Sequence, residues 1–269
     1  MANSRARFDV SYLPGITPIA LAGVLFLYAP LAVLVFYSFS AGDVLGHWEG
    51  FSWRWYSSAL NNDLIRDAAG RSLLVAFIAA SVGTVVATAA GLATTRSTTF
   101  KARKWIYLII SQPLMVPEIV LAVALLILFA LIRSATGISG LGYMIAAHTT
   151  FCIPFAYMPI RARLEGMNTN IEAAAADLYA GPFVIFRRVT LPLLLPGIIS
   201  GFMLAFVISL DDVVISQFVK SAGQETLPTY MLGQLRRGIS PEVYAVSSMM
   251  LTLSVVLVTG FFLLSNKRD

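Results

Sequence analysis

Six stretches of this sequence, about 16–39, 72–94, 105–132, 141–160, 193–217 and 243–264, are apolar over the length a helix needs to cross a bilayer, which is about 20 residues. Nothing else in the chain constrains its fold as strongly. Composition agrees: 58% of the 269 residues are hydrophobic, 12% are charged and the mean hydropathy is +0.78, whereas an ordinary soluble domain is about 25% charged. The reading is an all-α integral membrane protein with six transmembrane helices, forming a single transmembrane domain over 1–269. The net charge of +5 then speaks of topology rather than of nucleic-acid binding.

The third stretch holds Pro113 and Pro117, so it is expected to bend or to be partly re-entrant, with its freed backbone groups satisfied by protein or a cavity. The basic start "MANSRAR" runs into an uncharged segment reaching Ala41, which is long enough to be an uncleaved first helix. Gly83, Ala87 and Gly91 in the second stretch, and Gly197, Gly201 and Ala205 in the fifth, recur every four residues. Small residues at that spacing let helix backbones approach closely where lipid supplies no hydrophobic push.

Lysine and arginine set the orientation. Arg5, Arg7, Arg96, Lys101, Arg103, Lys104, Arg161, Arg163, Arg187, Arg188, Lys267 and Arg268 fall on one side, 12 in all. Arg54, Arg66, Arg71, Arg133, Lys220, Arg236 and Arg237 fall on the other, 7 in all. The richer side is taken as cytoplasmic, which puts both termini in the cytosol.

Asp211 and Asp212 stand side by side in "LAFVISLDDVVISQFV". A carboxylate at mid-helix costs about 2.5–3.5 kcal/mol on insertion scales, and such residues usually line a watery path or have a partner. If the helix is continuous, the two point about 100° apart. Glu118, directly after Pro117, is a third acid, favourably placed in the first turn of a half-helix. Three membrane acids favour a cationic substrate. Trp53 and Trp55, in "FSWRWYSS", offer aromatic faces for a cation, although tryptophans near an interface also serve as anchors. The single Cys152 excludes an internal disulfide, and with His47 and His148 as the only histidines no His/Cys metal cluster can be built. His148 is expected to hydrogen-bond between helices.

The cytosolic connection 161–192 does not read as a solvated linker. Asn170 can cap a helix with Glu172 in its first turn, "EAAAADLYA" has high helix propensity, Gly181 can end it, and Pro182 can open the short helix "PFVIFRRV". Tyr179, Phe183 and Phe186 then occupy a cytosolic corner suited to a partner's groove.

This stretch resembles the coupling loop of ABC-importer permeases, whose pattern is EAA, three residues, Gly, nine residues, then Ile-x-Leu-Pro. Counting back from Leu191 and Pro192 places Val189 at the isoleucine, Tyr179 at the glycine and Ala173 at the glutamate; Ala174 and Ala175 match, Glu172 lies one residue early and Gly181 two residues late. Together with "GFSWRWYSSALNND", "SQPLMVPEIVLAVALLILF", "HTTFCIPF", "SLDDVVISQFV" and "ISPEVYAVSSMMLTLS", it resembles polyamine (spermidine/putrescine) importer permeases of the PotC/PotI kind over nearly the whole length. The resemblance implies a type I ABC-importer permease fold in a bacterial cytoplasmic membrane. It implies a second permease chain, two ATP-binding subunits that hold ATP and Mg, and an external or periplasmic substrate-binding protein. With a polyamine as the cation, the membrane acids Asp211, Asp212 and Glu118, together with Trp55, are the candidate substrate path. ATPase coupling is carried onto Glu172, Ala174, Ala175, Asp177, Tyr179, Gly181, Phe183, Phe186, Leu191 and Pro192. The chain has no phosphate loop of the G-x-x-x-x-G-K-[ST] type, no catalytic constellation and no cofactor motif, so any ATP hydrolysis is expected on a separate subunit. Other readings are an ABC permease for an opine, an aminophosphonate or another small organic solute, and a secondary cation carrier.

Overall fold

The computed structural model describes residues 16–44, 46–96, 102–237 and 240–266. Arg5, Arg7, Lys101, Lys267 and Arg268, which enter the charge count, lie outside them. The described residues are helical, apart from short connections and one isolated antiparallel bridge between Ser40 and Phe51. Among the described residues, five helices are long and apolar enough to cross a membrane. The chain divides into two compact units, Met1–Ala59 with Ile239–Leu251 and Leu60–Gly238 with Thr252–Asp269.

In the first unit, α1 (Ile16–Tyr37) leaves nearly all its large apolar side chains exposed, Phe26 and Leu27 among them. Their cover must come from outside this chain. The following loop folds on aromatic rings: Phe39 stacks on Phe51 at 5.4 Å and meets Trp53 edge-on at 5.0 Å. α2 (Arg54–Asn61) and the start of α12 (Glu242–Asn266) are tied by polar contacts. Tyr56 Oη donates to Ser248 Oγ at 3.1 Å, and Ser58 Oγ donates to Glu242 Oε1 at 2.8 Å.

The second unit is built on α3 (Asp63–Thr95), α6 (Leu141–Gly166) and α9 (Leu191–Asp211), which pack on one another. Asn62 opens α3 by accepting from Leu64 N at 3.0 Å, which starts it well before residue 72. Both small-residue seams close on α6. A Cβ added at Gly91 would lie 3.1 Å from Leu164 Cδ1, and one at Gly201 only 2.7 Å from Ala156 O. That proximity is why side chains are absent there. α6 has the length of a span but is less apolar than the others, because it carries His148, Thr149, Thr150, Pro154 and Pro159.

Two spans are broken, the first where its prolines led to the expectation of a bend and the second without warning. The third divides into α4 (Arg103–Met115) and α5 (Glu118–Thr136), with the break at Val116 and Pro117. The fifth was expected to run on to 217; instead α9 ends at Asp211 and a short α10 (Val214–Val219) follows. Asp212 has φ −65° and ψ 129°, which is extended backbone, so the 100° helical offset between the two aspartates does not apply. α10 packs against α5 and α6 around Ala122, Leu125, Ala147, Phe151 and Ile215.

Candidate functional site: a capped acid centre and a latched helical corner

The break after Asp211 gives the two aspartates opposite environments. Asp212 is buried at 6% exposure. Its Oδ2 accepts from Ser216 N at 2.8 Å and Ser216 Oγ at 2.9 Å, and its Oδ1 accepts from Ile215 N at 3.2 Å. These are the N–H groups that a helix start leaves without partners, so Asp212 acts as the capping side chain of α10. His148 of α6 completes the cluster, with Nδ1 2.7 Å from Ser209 Oγ and Nε2 2.9 Å from Ser216 Oγ and 3.4 Å from Asp212 Oδ2. Since Ser216 Oγ donates to Asp212, it accepts from His148 Nε2–H, and Nδ1 accepts from the Ser209 hydroxyl. The histidine thus joins α6, α9 and α10.

Glu118, the first residue of α5, is half-buried and its side chain meets that of Asp212. Asp211 is exposed. Among the described residues its carboxylate has no ion pair or hydrogen bond. Trp55 belongs to the first unit, the acids to the second. Its indole Nε1 donates to Gly42 O at 3.2 Å, and the Arg54 guanidinium stands 4.6 Å from its ring centroid, so one face already holds a cation.

At the other end of α9 lies the expected helical corner. α7 (Asn170–Asp177) begins one residue earlier than a cap at Asn170 would give. Asn170 is its first residue, and Asn168 Oδ1 accepts from Asn170 N at 3.0 Å instead. Nor does Gly181 end the helix. Tyr179 N donates to Ala176 O at 2.9 Å and Ala180 N to Ala175 O at 3.2 Å, while Tyr179 has φ 60°. This is a Schellman ending with tyrosine in the left-handed position that glycine usually fills. Gly181 has φ −67° and precedes Pro182, which opens α8 (Pro182–Ile185) as expected of proline at a first turn.

A π-helical turn, Phe186–Thr190, joins α8 to α9. Such turns insert one extra residue and are frequent at functional positions. Leu191 and Pro192 form the first turn of α9. Leu178, Tyr179 and Phe183 project outward, with Tyr179 97% exposed. Ala174 and Asp177 are exposed as well, and Ala175 and Phe186 are half-buried.

Glu172 does more than oppose a helix dipole. Its Oε2 lies 3.0 Å from Arg96 Nε, and its Oε1 accepts from Thr190 Oγ1 at 2.8 Å. Arg96 Nη1 donates to Leu164 O at 3.0 Å. One carboxylate therefore latches α7 to the ends of α3 and α6 and to the root of α9. Sequence reasoning singled out neither Arg96 nor Thr190, nor Ser209 and Ser216. An arginine after a span looks like any positive-side charge, and a serine in a span like any small residue.

Residues 83–268 match the family of the binding-protein-dependent transport system inner membrane component. The putrescine transport system permease protein PotI of Escherichia coli strain K12 is 38% identical over 246 residues, covering 90% of this chain and 87% of that protein. The spermidine/putrescine transport system permease protein PotC of Haemophilus influenzae is 38% identical over 245 residues, covering 91% of this chain and 93% of that protein. Among solved structures, a bacterial ABC transporter that imports the acidic polysaccharide alginate superposes with a TM-score of 0.73 at 13% identity, over 94% of this chain and 93% of that one. The inward-facing MetNI methionine ABC transporter gives 0.63 at 20% identity, over 76% and 95%.

Proposed function

The chain belongs to the family of binding-protein-dependent transport system inner membrane components, and from that premise we propose that it is one permease subunit of an ATP-driven polyamine importer. The observation that carries the substrate class is the 38% identity, over about 90% of the chain, to permeases named for putrescine and spermidine.

In this reading α4 and α5 make one interrupted crossing and α6 another. Six crossings then leave both termini on the cytoplasmic side with the coupling corner. A second permease chain completes the path, two ATP-binding subunits sit below, and a periplasmic binding protein delivers the ligand; a related alginate transporter was solved with its periplasmic protein. The partner ATPases hold ATP and Mg. Their closure moves α7 and α8, and the Glu172 latch passes that displacement to α3, α6 and α9. The pathway alternates access between the two sides of the membrane. Asp211 and Glu118 present their carboxyl groups to the passing ammonium groups, while Asp212 fixes the helix break beside Asp211. Trp55 serves as a wall for the cation at the outer entrance.

The test is uptake of labelled putrescine and spermidine in the native host with this gene deleted, complemented with wild type or Asp211→Asn at matched membrane levels. Lost uptake on deletion, restored by wild type and not by Asp211→Asn, is the expected result. Unchanged uptake of both polyamines on deletion removes the substrate assignment. Full restoration by Asp211→Asn removes Asp211 from the path.

A further inference from the structure

Between α4 and the ends of α3 and α6 lies a cavity of about 340 Å³ lined by Thr94, Arg103, Lys104, Tyr107, Tyr157 and Arg161. Three of its six lining residues are cations and none is an acid. Arg161 is partly answered from outside the lining by Glu165, whose Oε1 accepts from Nε at 2.8 Å, and its guanidinium stands 4.6 Å from the Tyr107 ring centroid. Arg103 and Lys104 have no such partner among the described residues, so the cavity keeps an excess of positive charge. The Thr94 and Tyr157 hydroxyls, 2.8 Å apart, complete it.

A second cavity, of about 320 Å³, shares Tyr107, Tyr157 and Arg161 with the first. Beyond those residues it takes in Glu165, whose carboxylate is paired with Arg161, together with Ser111 and Ala162, and is otherwise apolar: Ile110, Leu114 and Met115 along α4 and Pro154 and Met158 along α6. The α4 residues recur at helical spacing, so they form one stripe facing α6. From Tyr107, where the two cavities meet, to Met115 that stripe runs about 12 Å at 1.5 Å per residue. One leaflet of a bilayer's hydrocarbon is about 15 Å deep, half the core. A basic head pocket thus opens into a mainly apolar groove that spans most of one leaflet's depth.

We infer that these joined cavities bind one anionic phospholipid, its phosphate-bearing headgroup held by Arg103, Lys104 and Arg161 and an acyl chain lying along the α4–α6 groove. Charge and shape together select this occupant. A free phosphate would use only the head pocket and leave the apolar groove unused. A cationic substrate is repelled by the same three side chains, so the site is separate from the acid centre and does not depend on which solute is carried. Basic pockets between transmembrane helices are a recurrent way of holding anionic headgroups. The site also adjoins the latch: Thr94 lies one turn or less from Arg96, which pairs with Glu172. A lipid there would brace the end of the bundle where α7 attaches.

The full-length chain in a neutral non-ionic detergent is titrated, by native mass spectrometry, with phosphatidylglycerol, with phosphatidylcholine of the same acyl chains, and with inorganic phosphate. Saturable retention of one phosphatidylglycerol, in preference to phosphatidylcholine, is expected. Each juxtamembrane cation is worth about fivefold, so Arg103→Gln with Lys104→Gln should weaken retention by about 25-fold. Both side chains are exposed, so the pair of changes leaves the fold intact. Leu114→Trp fills the groove without altering charge and should weaken phosphatidylglycerol while leaving phosphate untouched. Equal retention of the two lipids overturns the inference. So does phosphate that displaces phosphatidylglycerol with no effect from Leu114→Trp, which marks a free-anion site. Lipid bound to the isolated chain but excluded from the assembled transporter overturns it too, because the groove is then a subunit interface.

Discussion

The latch at Arg96 and Glu172 makes a quantitative demand on the coupling corner. The two side chains are 20% and 18% exposed, and their N···O distance is 3.0 Å. An exposed pair is worth about 0.2–1 kcal/mol, whereas stripping one partner from a fully buried pair costs about 3–5 kcal/mol. With about four-fifths of each side chain covered, a coupling of about 1.5 kcal/mol is the working figure, within the about 0.5–3 kcal/mol found for contacting residues. That is about tenfold in an opening equilibrium. Hydrogen exchange of the α7 amides in the full-length chain reads this opening directly, with no ATPase present. Arg96→Gln and Glu172→Gln should each speed exchange across Ala173–Asp177 by about tenfold, because each alone unlatches α7. The double variant should be little faster than either single one. Two strictly additive effects, or unaltered exchange in both single variants, would show that α7 is held by something other than this ion pair, and the proposed route of force into α3 and α9 would fail.

Three further outcomes follow from local geometry. Asp212→Ala leaves Ile215 N, Ser216 N and Ser216 Oγ without their acceptor, so thermal unfolding in detergent should show a loss of about 1–2 kcal/mol, with Asp212→Asn milder and Asp211→Asn within about 0.5 kcal/mol of wild type; an Asp212→Ala protein as stable as wild type would disprove the capping role. Gly201→Ala places a methyl 2.7 Å from Ala156 O and should cost about 1–3 kcal/mol by the same measurement, whereas Gly142→Ala, with nothing within 4 Å of the new methyl, should be neutral. At Tyr179, φ 60° strains a residue with a Cβ by about 1–2 kcal/mol, so Tyr179→Gly should slow exchange of the Ala180 amide and Tyr179→Val should hasten it; the reverse order would contradict the left-handed turn.

The sequence reveals what depends on long periods or on single residues with one strong habit. Apolar runs of bilayer length disclosed the long helices, five of which are long and apolar enough to cross among the described residues; small residues every four positions disclosed close helix contacts, though not their partner, and Pro117 disclosed the break in the third stretch. The break at Asp212 stayed hidden because no proline or glycine marks it. An aspartate followed by "VVIS" is a helix-start signal, but within an apolar run its charge draws attention before its capping chemistry does. Gly181 drew the helix end to itself by composition, whereas the Schellman hydrogen bonds fall on Tyr179. Counting back from Leu191 and Pro192 had put Tyr179 at the glycine of the family pattern, and its backbone adopts the conformation that glycine serves. The latch could not be seen, because Arg96 and Glu172 lie 76 residues apart and nothing in either one's local sequence refers to the other.

The two breaks explain why the neighbouring acids are not equivalent. α5 begins at Glu118 and α10 just after Asp212, and the two side chains meet. A helix N-terminus carries a partial positive charge of about half an electron and presents free N–H groups, so a carboxylate there is stabilised. Asp212 therefore has much of its charge answered by backbone before any ligand arrives, while Glu118 has the helix dipole in its favour and the Asp212 carboxyl against it. Asp211 has the opposite surroundings. It is the last residue of α9, where the helix dipole is negative and the final carbonyls lack intrahelical partners. It is exposed, and nothing among the described residues neutralises it. A cation approaching this centre meets one acid, Asp211, whose charge is reinforced by the helix that bears it, and another, Asp212, whose charge is already spent on capping α10. On this argument the weight of substrate recognition falls on Asp211, and replacing it should change uptake far more than it changes stability. Asp212→Asn should do the reverse in proportion, disturbing α10 first and transport only as a consequence.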